Sequence, residues 1–246
     1  MLIPSFRKAA RRYREDYALK RSDPGFRQAL DAALEVDGFT APVELSLLYH
    51  LSLAADPGAV VEIGSYLGRS TVVLASAAAA CGRDAVVAVD PHEGELGVEG
   101  ARRRDTRDEF LRNVKRAGVQ SHVRLVHTTS AQAASEWGGE PVRLLFVDGL
   151  HTREAVLEDT RGWVPFLTPA ACVVFDDFLP SPGVREAVRE LRAGGLVSGS
   201  GLIVGKMAAF GPARLLRSVP APPGARILPR LGDRSLNVAI RVLASR

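Results

Sequence analysis

The fold of this chain is decided by one stretch, Val60-Val61-Glu62-Ile63-Gly64-Ser65-Tyr66-Leu67-Gly68-Arg69-Ser70-Thr71. A short apolar, β-branched run ends at a glycine turn, which leads into a helix-like segment. The first glycine allows a sharp turn with a φ angle that other residues resist. The second lets the backbone approach a ligand closely. The stretch therefore predicts a strand, a ligand-binding turn and a helix whose free N–H groups face the ligand.

The spacing of the glycines bears on which ligand the turn binds. The dinucleotide fingerprint is G-x-G-x-x-G, whereas this turn reads E-x-G-x-x-x-G and has Ser65 where the fingerprint needs its second glycine. A pyrophosphate needs bare backbone at that point, so Ser65 disfavours a nicotinamide cofactor. A smaller ligand with a carboxylate and an amine can use Glu62 and Ser65. The alternative is a buried strand followed by an ordinary loop.

Size and charge fit one large α/β domain with appendages, since the chain has 246 residues and a formal net charge of +4. No apolar run reaches the ~18 residues of a spanning helix. The basic N-terminus lacks the apolar run of a secretory signal, and no aromatic residues alternate with the basic ones to stack on bases. We expect a cytoplasmic protein with reduced Cys81 and Cys172, and neither membrane nor nucleic-acid binding.

Hydrophobic periodicity changes after residue 57. Five short, near-continuous apolar runs alternate with longer helical patterns, which is typical of strands buried on both faces of a parallel sheet. A later segment, 196–206, predicts two short strands joined by a glycine turn. The predicted fold is thus a doubly wound, Rossmann-like α/β sheet of seven strands, mostly parallel, with a terminal antiparallel hairpin. The five runs are 60–63, 85–89, 123–126, 142–147 and 171–175.

Three parts are predicted along the chain. Residues 1–57 predict helices that cover one edge of the sheet, residues 58–210 form the ligand-binding domain, and residues 211–246 form a C-terminal extension rich in proline and arginine. Helical patterns of the first part lie at 4–20, 24–34 and 42–54. The extension includes a small strand or helix at 237–243.

Ligands of open α/β sheets bind beyond the carboxyl ends of the strands, so the polar residues that follow each run are site candidates. Asp90 ends the second run, where a carboxylate can accept hydrogen bonds from both hydroxyls of a ribose. Residues 92–105 follow and contain three glycines and three consecutive arginines. They predict either a lid that closes over the site or a mobile, solvated loop.

Three carboxylates follow two predicted strands that are neighbours in the sheet, Asp148 after the fourth and Asp176 and Asp177 after the fifth. Gathered carboxylates repel one another, and oxygen ligands suit Mg²⁺, Mn²⁺ or Ca²⁺ rather than zinc. His151 follows Asp148 by three residues, so its ring returns to the same side and can act as a general base. The alternative for His151 is a polar residue at a helix N-terminus. The alternative for Asp176 and Asp177 is a capped loop.

The stretch 60–71 resembles the first motif of class I S-adenosylmethionine-dependent methyltransferases. Together with the later carboxylates and His151, it resembles the metal-dependent O-methyltransferase branch of that class. The resemblance implies that S-adenosylmethionine is the cofactor and that Mg²⁺ (or Mn²⁺) binds to Asp148, Asp176 and Asp177, with His151 as the base. The cofactor-binding residues it implies are Glu62, Gly64, Ser65, Gly68, Ser70, Asp90, Ser130 and Asp148.

This chain differs from the catechol methyltransferase pattern at two positions, and the differences indicate which branch it resembles. The catechol methyltransferase pattern has a lysine base and an acidic-amide pair, whereas this chain has His151 and Asp176-Asp177 at those positions. It looks more like the sugar O-methyltransferases of the macrocin and mycinamicin type and their cephalosporin hydroxylase-like relatives. The implied acceptor is a small-molecule hydroxyl, on a sugar or a natural-product glycoside. The extra ends suggest a homo-oligomer.

Other functions stay open at this point. An RNA or protein methyltransferase could use the basic arms and would bind in a salt-sensitive way, although the Asn/Asp-Pro-Pro-Tyr/Phe motif of amino-group enzymes is absent. A methyltransferase-like binding protein without catalysis is a further alternative, against which the intact set of carboxylates and His151 argues.

Overall fold

The computed structural model describes residues 23–82, 85–93, 105–220 and the backbone of 226–228. Some predictions concern residues outside these ranges. They are the helical pattern at 4–20, most of the loop at 92–105 and the element at 237–243.

The described residues form eight helices, eight strands and two 3-10 turns. The helices are α1 (Pro24–Leu34), α2 (Pro42–Ala54), α3 (Arg69–Ala80), α4 (Arg107–Arg116), α5 (Ser130–Ser135), α6 (Arg153–Trp163), α7 (Pro182–Ala193) and α8 (Ala213–Ser218). The strands are β1 (Ala59–Ile63), β2 (Val86–Val89), β3 (Val123–Val126), β4 (Val142–Val147), β5 (Leu167–Phe175), β6 (Ser200–Val204), β7 (Met207–Gly211) and β8 (Arg226–Leu228). The 3-10 turns are Gln120–His122 and Val164–Phe166.

The described strands form one sheet in the order β3-β2-β1-β4-β5-β7-β6-β8. The first five pair in parallel, and the last three join in antiparallel fashion. The predicted Rossmann-like sheet, mostly parallel with a terminal antiparallel hairpin, is confirmed. The short strand β8 extends it by one strand beyond the seven that were predicted.

The hairpin lies further along the chain than predicted. Both of its strands were expected within 196–206, but the turn is at Gly205 and Lys206, between β6 and β7. Gly205 takes a φ of +58° there. The expected turn position was wrong because Gly199 leads into β6 instead: its φ is +92°, and a Cβ on it would lie 2.3 Å from the carbonyl oxygen of Gly211.

Helices cover both faces of the sheet. The apolar side chains of α1, α2, α3 and α4 pack on one face, and those of α5, α6 and α7 pack on the other. The helices at 24–34 and 42–54 were expected along one edge, and that expectation was wrong, since α1 and α2 pack against α3 on one face. Apolar residues surround the axis of α2, and such a helix must be buried on nearly all sides.

No helix among the described residues is long and apolar enough to cross a membrane. Cys81 is half-buried and Cys172 is buried, and both are free thiols. Burial raises the pKa of Cys172 to about 12, so this thiol stays protonated and packs as a small apolar side chain.

Candidate functional site

The candidate site lies at the point where the strand order reverses, between β1 and β4. Ligand crevices of doubly wound sheets form at such switch points, and a cavity of about 690 Å³ opens there. The two strand ends are joined by a hydrogen bond of 2.8 Å from the Asp148 N–H to the Ile63 carbonyl. Gly64 follows directly, with a φ of +82°, and a Cβ on it would lie 2.1 Å from the Asp148 carbonyl oxygen. Only glycine fits this position.

The glycine turn is held by the carboxylate of Asp90. Its Oδ2 accepts hydrogen bonds from the backbone N–H groups of Ser65 and Tyr66, each at 2.8 Å. Its Oδ1 accepts one from the His92 N–H at 2.6 Å. The expected contact of Asp90 with a ribose stays a prediction. These hydrogen bonds show a second role of Asp90. The residue fixes the backbone of the neighbouring turn, which lines the cavity.

The predicted cofactor residues of the opening stretch divide into two groups. Gly64, Ser65 and Ser70 line the cavity, as do Asp90, Ser130 and Asp148 from the later strands. Glu62 and Gly68 are not part of that lining among the described residues. Gly68 precedes α3 with a φ of +93° and packs against Phe110.

Glu62 lies behind the turn, fully buried. Its Oε2 accepts a hydrogen bond of 2.5 Å from the Thr71 hydroxyl. Burial raises the pKa of Glu62 to about 7. Its predicted contact with a ligand stays a prediction, whereas its contact with Thr71 ties β1 to α3.

Ser130 sits at the far end of the cavity, at the start of α5. The indole N–H of Trp163 donates a hydrogen bond of 3.1 Å to its hydroxyl. Asp159 on α6 lines the same part of the cavity, and burial raises its pKa to about 6, while a hydrogen bond with Ser130 acts in the opposite direction. Sequence reasoning missed Asp159 because it lies inside a helix, four residues after Ala155, and not at a strand end.

The predicted active-site residues converge at the carboxyl ends of β4 and β5. Asp148, His151 and Asp176 each offer one ligand atom, and these atoms lie within 4.8 Å of one another. His151 lies between two carboxylates: its Nε2 is 3.4 Å from Asp148 Oδ1 and its Nδ1 is 3.4 Å from Asp177 Oδ2. Burial, and then the charge of Asp176, raise the pKa of Asp148 well above its usual range.

Lys206 is a second residue of this site that sequence reasoning missed. Its Nζ lies 2.5 Å from Asp176 Oδ2 and 2.7 Å from Asp177 Oδ1. Burial alone would lower the pKa of Lys206, but the two carboxylates outweigh it and raise that pKa above its ordinary value. Lys206 is the last residue of the 196–206 segment. Only a hairpin turn predicted at its observed position, between β6 and β7, would have placed this lysine near the strand ends.

The cluster fits a divalent cation. The Oδ1 atom of Asp176 is buried and has no hydrogen-bond partner among the described residues. Buried polar atoms without partners are costly, and carboxylate oxygens are ligands that Mg²⁺ and Mn²⁺ accept. The grouping is Asp148, His151 and Asp176, however, whereas Asp177 contacts Lys206 and His151. The role of Asp177 as a third ligand stays a prediction.

Comparisons with known proteins agree with this geometry. Residues 61–178 match the family model of a methyltransferase domain. The matched residues run from β1 to just past β5, so they contain the turn, Asp90 and the whole cluster at the ends of β4 and β5.

Solved structures with the same fold include O-methyltransferases. The O-methyltransferase NovP is 19% identical, with a TM-score of 0.58 over 71% of this chain and 83% of that one. An O-methyltransferase from Bacillus cereus, solved in complex with SAH, is 18% identical, with a TM-score of 0.56 over 85% and 99%. CalS11, a TDP-rhamnose 3'-O-methyltransferase of calicheamicin biosynthesis, is 17% identical, with a TM-score of 0.51 over 85% and 93%. At these identities the likeness shows the fold alone.

The hydrogen bonds of Asp90 predict a local effect of Asp90→Asn. An amide cannot accept from all three backbone donors, so at least one N–H loses its partner at a cost of about 1–3 kcal/mol. Amide hydrogen exchange of Ser65, Tyr66 and His92, followed by NMR, should become roughly tenfold faster or more wherever the N–H loses its partner, because exchange reports local opening. The exposed Asp108→Asn is the control and should leave all three rates unchanged. Equal protection in Asp90→Asn and wild type would contradict this role.

Proposed function

We propose that this chain is an S-adenosylmethionine-dependent O-methyltransferase that acts on a hydroxyl of a small molecule, a sugar or a natural-product glycoside, with Mg²⁺ (or Mn²⁺). One observation carries the proposal: a single cavity joins the glycine turn after β1 to the Asp148, His151 and Asp176 cluster. A methyltransferase needs such a cavity, because the methyl donor and the acceptor hydroxyl must meet in line.

The cofactor end of the proposed site is the turn at Gly64 and Ser65. Both residues line the cavity, and α3 begins a few residues later, where a helix N-terminus attracts a carboxylate. Asp90 stands at the cavity wall beside the turn. The match of 61–178 to a methyltransferase domain supports this assignment, as do the SAH complex of the Bacillus cereus enzyme and the SAM complex of the O-methyltransferase TomG.

His151 is the proposed general base. Its Nδ1 is 3.4 Å from Asp177 Oδ2 and its Nε2 is 3.4 Å from Asp148 Oδ1, so a proton on Nδ1 can bond to Asp177 and leave a lone pair on Nε2. That Nε2 has no hydrogen-bond partner among the described residues, so it is available to take the proton of an acceptor hydroxyl. Asp177 then stabilises the imidazolium that forms.

Asp148 and Asp176 are the residues that would hold the divalent cation, and the resemblance adds Asp177. When bound, S-adenosylmethionine supplies the methyl group, and a divalent cation lowers the pKa of the acceptor hydroxyl. The chain itself positions the acceptor. Asp148 and His151 face each other across 3.4 Å, which sets where the hydroxyl oxygen sits relative to the turn.

The acceptor side of the cavity has apolar as well as charged walls. Phe39 and Leu150 are large apolar residues with 62% and 43% of their surface exposed, and both line the cavity. Phe39 also lies against the Tyr66 ring, with 6.0 Å between the ring centroids. Such a wall suits the apolar face of a sugar or an attached aglycone. CalS11 is a TDP-rhamnose 3'-O-methyltransferase, which supports the choice of a sugar hydroxyl.

Methyl transfer tests the proposal directly. We expect wild-type protein, given S-adenosylmethionine labelled on its methyl group, to label at least one acceptor in a panel of nucleotide sugars and natural-product glycosides. EDTA should abolish the transfer, and added Mg²⁺ or Mn²⁺ should restore it. Transfer that is unchanged in EDTA would contradict the metal part alone, and transfer only to RNA or protein would contradict the acceptor class.

His151→Ala is expected to lower kcat on that acceptor by roughly 10²- to 10⁴-fold, because a positioned general base contributes this much. The affinity for S-adenosylmethionine should stay within a factor of about two or three, since the imidazole acts on the acceptor. His122→Ala, on the 3-10 turn before β3, is the matched control and should leave kcat unchanged. A kcat in His151→Ala equal to that of wild type would remove His151 from the mechanism.

A further inference from the structure

The position of Lys206 is set by backbone contacts on both sides of the residue. Its N–H donates a hydrogen bond of 2.8 Å to Glu44 Oε1, and its carbonyl accepts one of 3.1 Å from the Leu179 N–H. Glu44 is itself buried at the start of α2 and accepts a second bond, of 2.7 Å, from the Ala41 N–H. The hairpin turn is therefore anchored to α2 and to the segment after β5, and the lysine side chain starts from a fixed point.

The neighbouring Gly205 shows how closely this turn is packed. A Cβ on it would lie 2.4 Å from Glu44 Oε1, and its φ is +58°. The turn cannot move back from Glu44 without losing the hydrogen bond to Lys206. The backbone of Lys206 is therefore fixed, and the residue borders the cavity.

The ammonium group of Lys206 already neutralises part of the negative charge that a metal ion would neutralise. It contacts one oxygen of Asp176 at 2.5 Å and one of Asp177 at 2.7 Å. Asp176 is only 3% exposed, so water contributes little to the neutralisation of this carboxylate, and a paired cation is what such burial requires. The lysine and a divalent cation would share Asp176, since its Oδ1 is the unpartnered oxygen of the candidate metal group.

We propose that Lys206 is a built-in cation of the carboxylate cluster that competes with the divalent metal for it. With Lys206 in place the cluster is held together without metal, and Asp177 is unavailable as a ligand. The positive charge of the ammonium opposes a divalent cation at Asp176 Oδ1, and a cation that also takes Asp177 requires the ammonium to withdraw into the cavity. The lysine thus lowers the affinity of the cluster for a divalent cation. This inference builds on the proposed metal-dependent function, but metal binding alone can test it.

The test measures Mn²⁺ binding to the protein alone, by the loss of the free-Mn²⁺ electron paramagnetic resonance signal. Lys206→Met keeps the length of the side chain and removes its charge, and we expect it to bind Mn²⁺ at least about tenfold more tightly than wild type, a change of about 1.4 kcal/mol. Lys115→Met, on the exposed side of α4, is the matched control and should bind as wild type does. Lys206→Arg keeps the charge and should not tighten binding.

Equal or weaker Mn²⁺ binding by Lys206→Met than by wild type would overturn the inference. Should Lys206→Met fail to fold, wild-type protein answers the same question by NMR. Addition of Mg²⁺ should shift the ¹⁵Nζ resonance of Lys206 and speed the hydrogen exchange of its ammonium group, and an unchanged resonance at saturating Mg²⁺ would overturn the inference. Neither experiment contains S-adenosylmethionine or acceptor. A failure of the proposed methyl transfer is therefore visible separately, in the transfer assay.

Discussion

The site depends on the close approach of two strand ends, where the chain after β1 passes the chain after β4. The Asp148 N–H bonds to the Ile63 carbonyl at 2.8 Å, and Gly64 has no space for a Cβ beside the Asp148 carbonyl. This contact puts the glycine turn and the carboxylate of Asp148 on the same cavity wall. Asp90 then holds the turn by its backbone N–H groups, so the proposed cofactor and acceptor halves are parts of one rigid unit.

Charge balance is the second constraint on the site. Parallel strand ends bring three carboxylates within reach of each other, and burial makes their repulsion costly. Two features of the protein reduce the repulsion between these carboxylates. The pKa of Asp148 is raised by its burial, which favours its neutral form, and the Lys206 ammonium pairs with Asp176 and Asp177. A cluster that is partly neutralised by the chain itself can exist without metal and still offers unpartnered atoms to one.

Much of the fold and of this site followed from the sequence, and the remainder has physical reasons. The parallel strands are buried on both faces, so each appears as a near-continuous apolar run, and residues at their carboxyl ends meet because the strands are parallel. The strand β7, with the sequence Met-Ala-Ala-Phe-Gly, is apolar but has none of the β-branched residues that favour strands, so the hairpin turn was misplaced and Lys206 was missed. The contact of Asp90 with its neighbouring turn depends on φ angles that residue types alone do not specify.

Calorimetric titration with S-adenosylhomocysteine tests most directly the claim that the β1–β4 switch point is a methyl-donor site. The account predicts that wild type binds one molecule per chain. Gly64→Ala, which puts a Cβ 2.1 Å from the Asp148 carbonyl oxygen, should bind at least about tenfold more weakly, with its folded state checked by circular dichroism. Gly138→Ala, where no described atom lies within 4 Å of the new Cβ, should bind as wild type does. No binding by wild type, or equal binding by folded Gly64→Ala, would contradict the account.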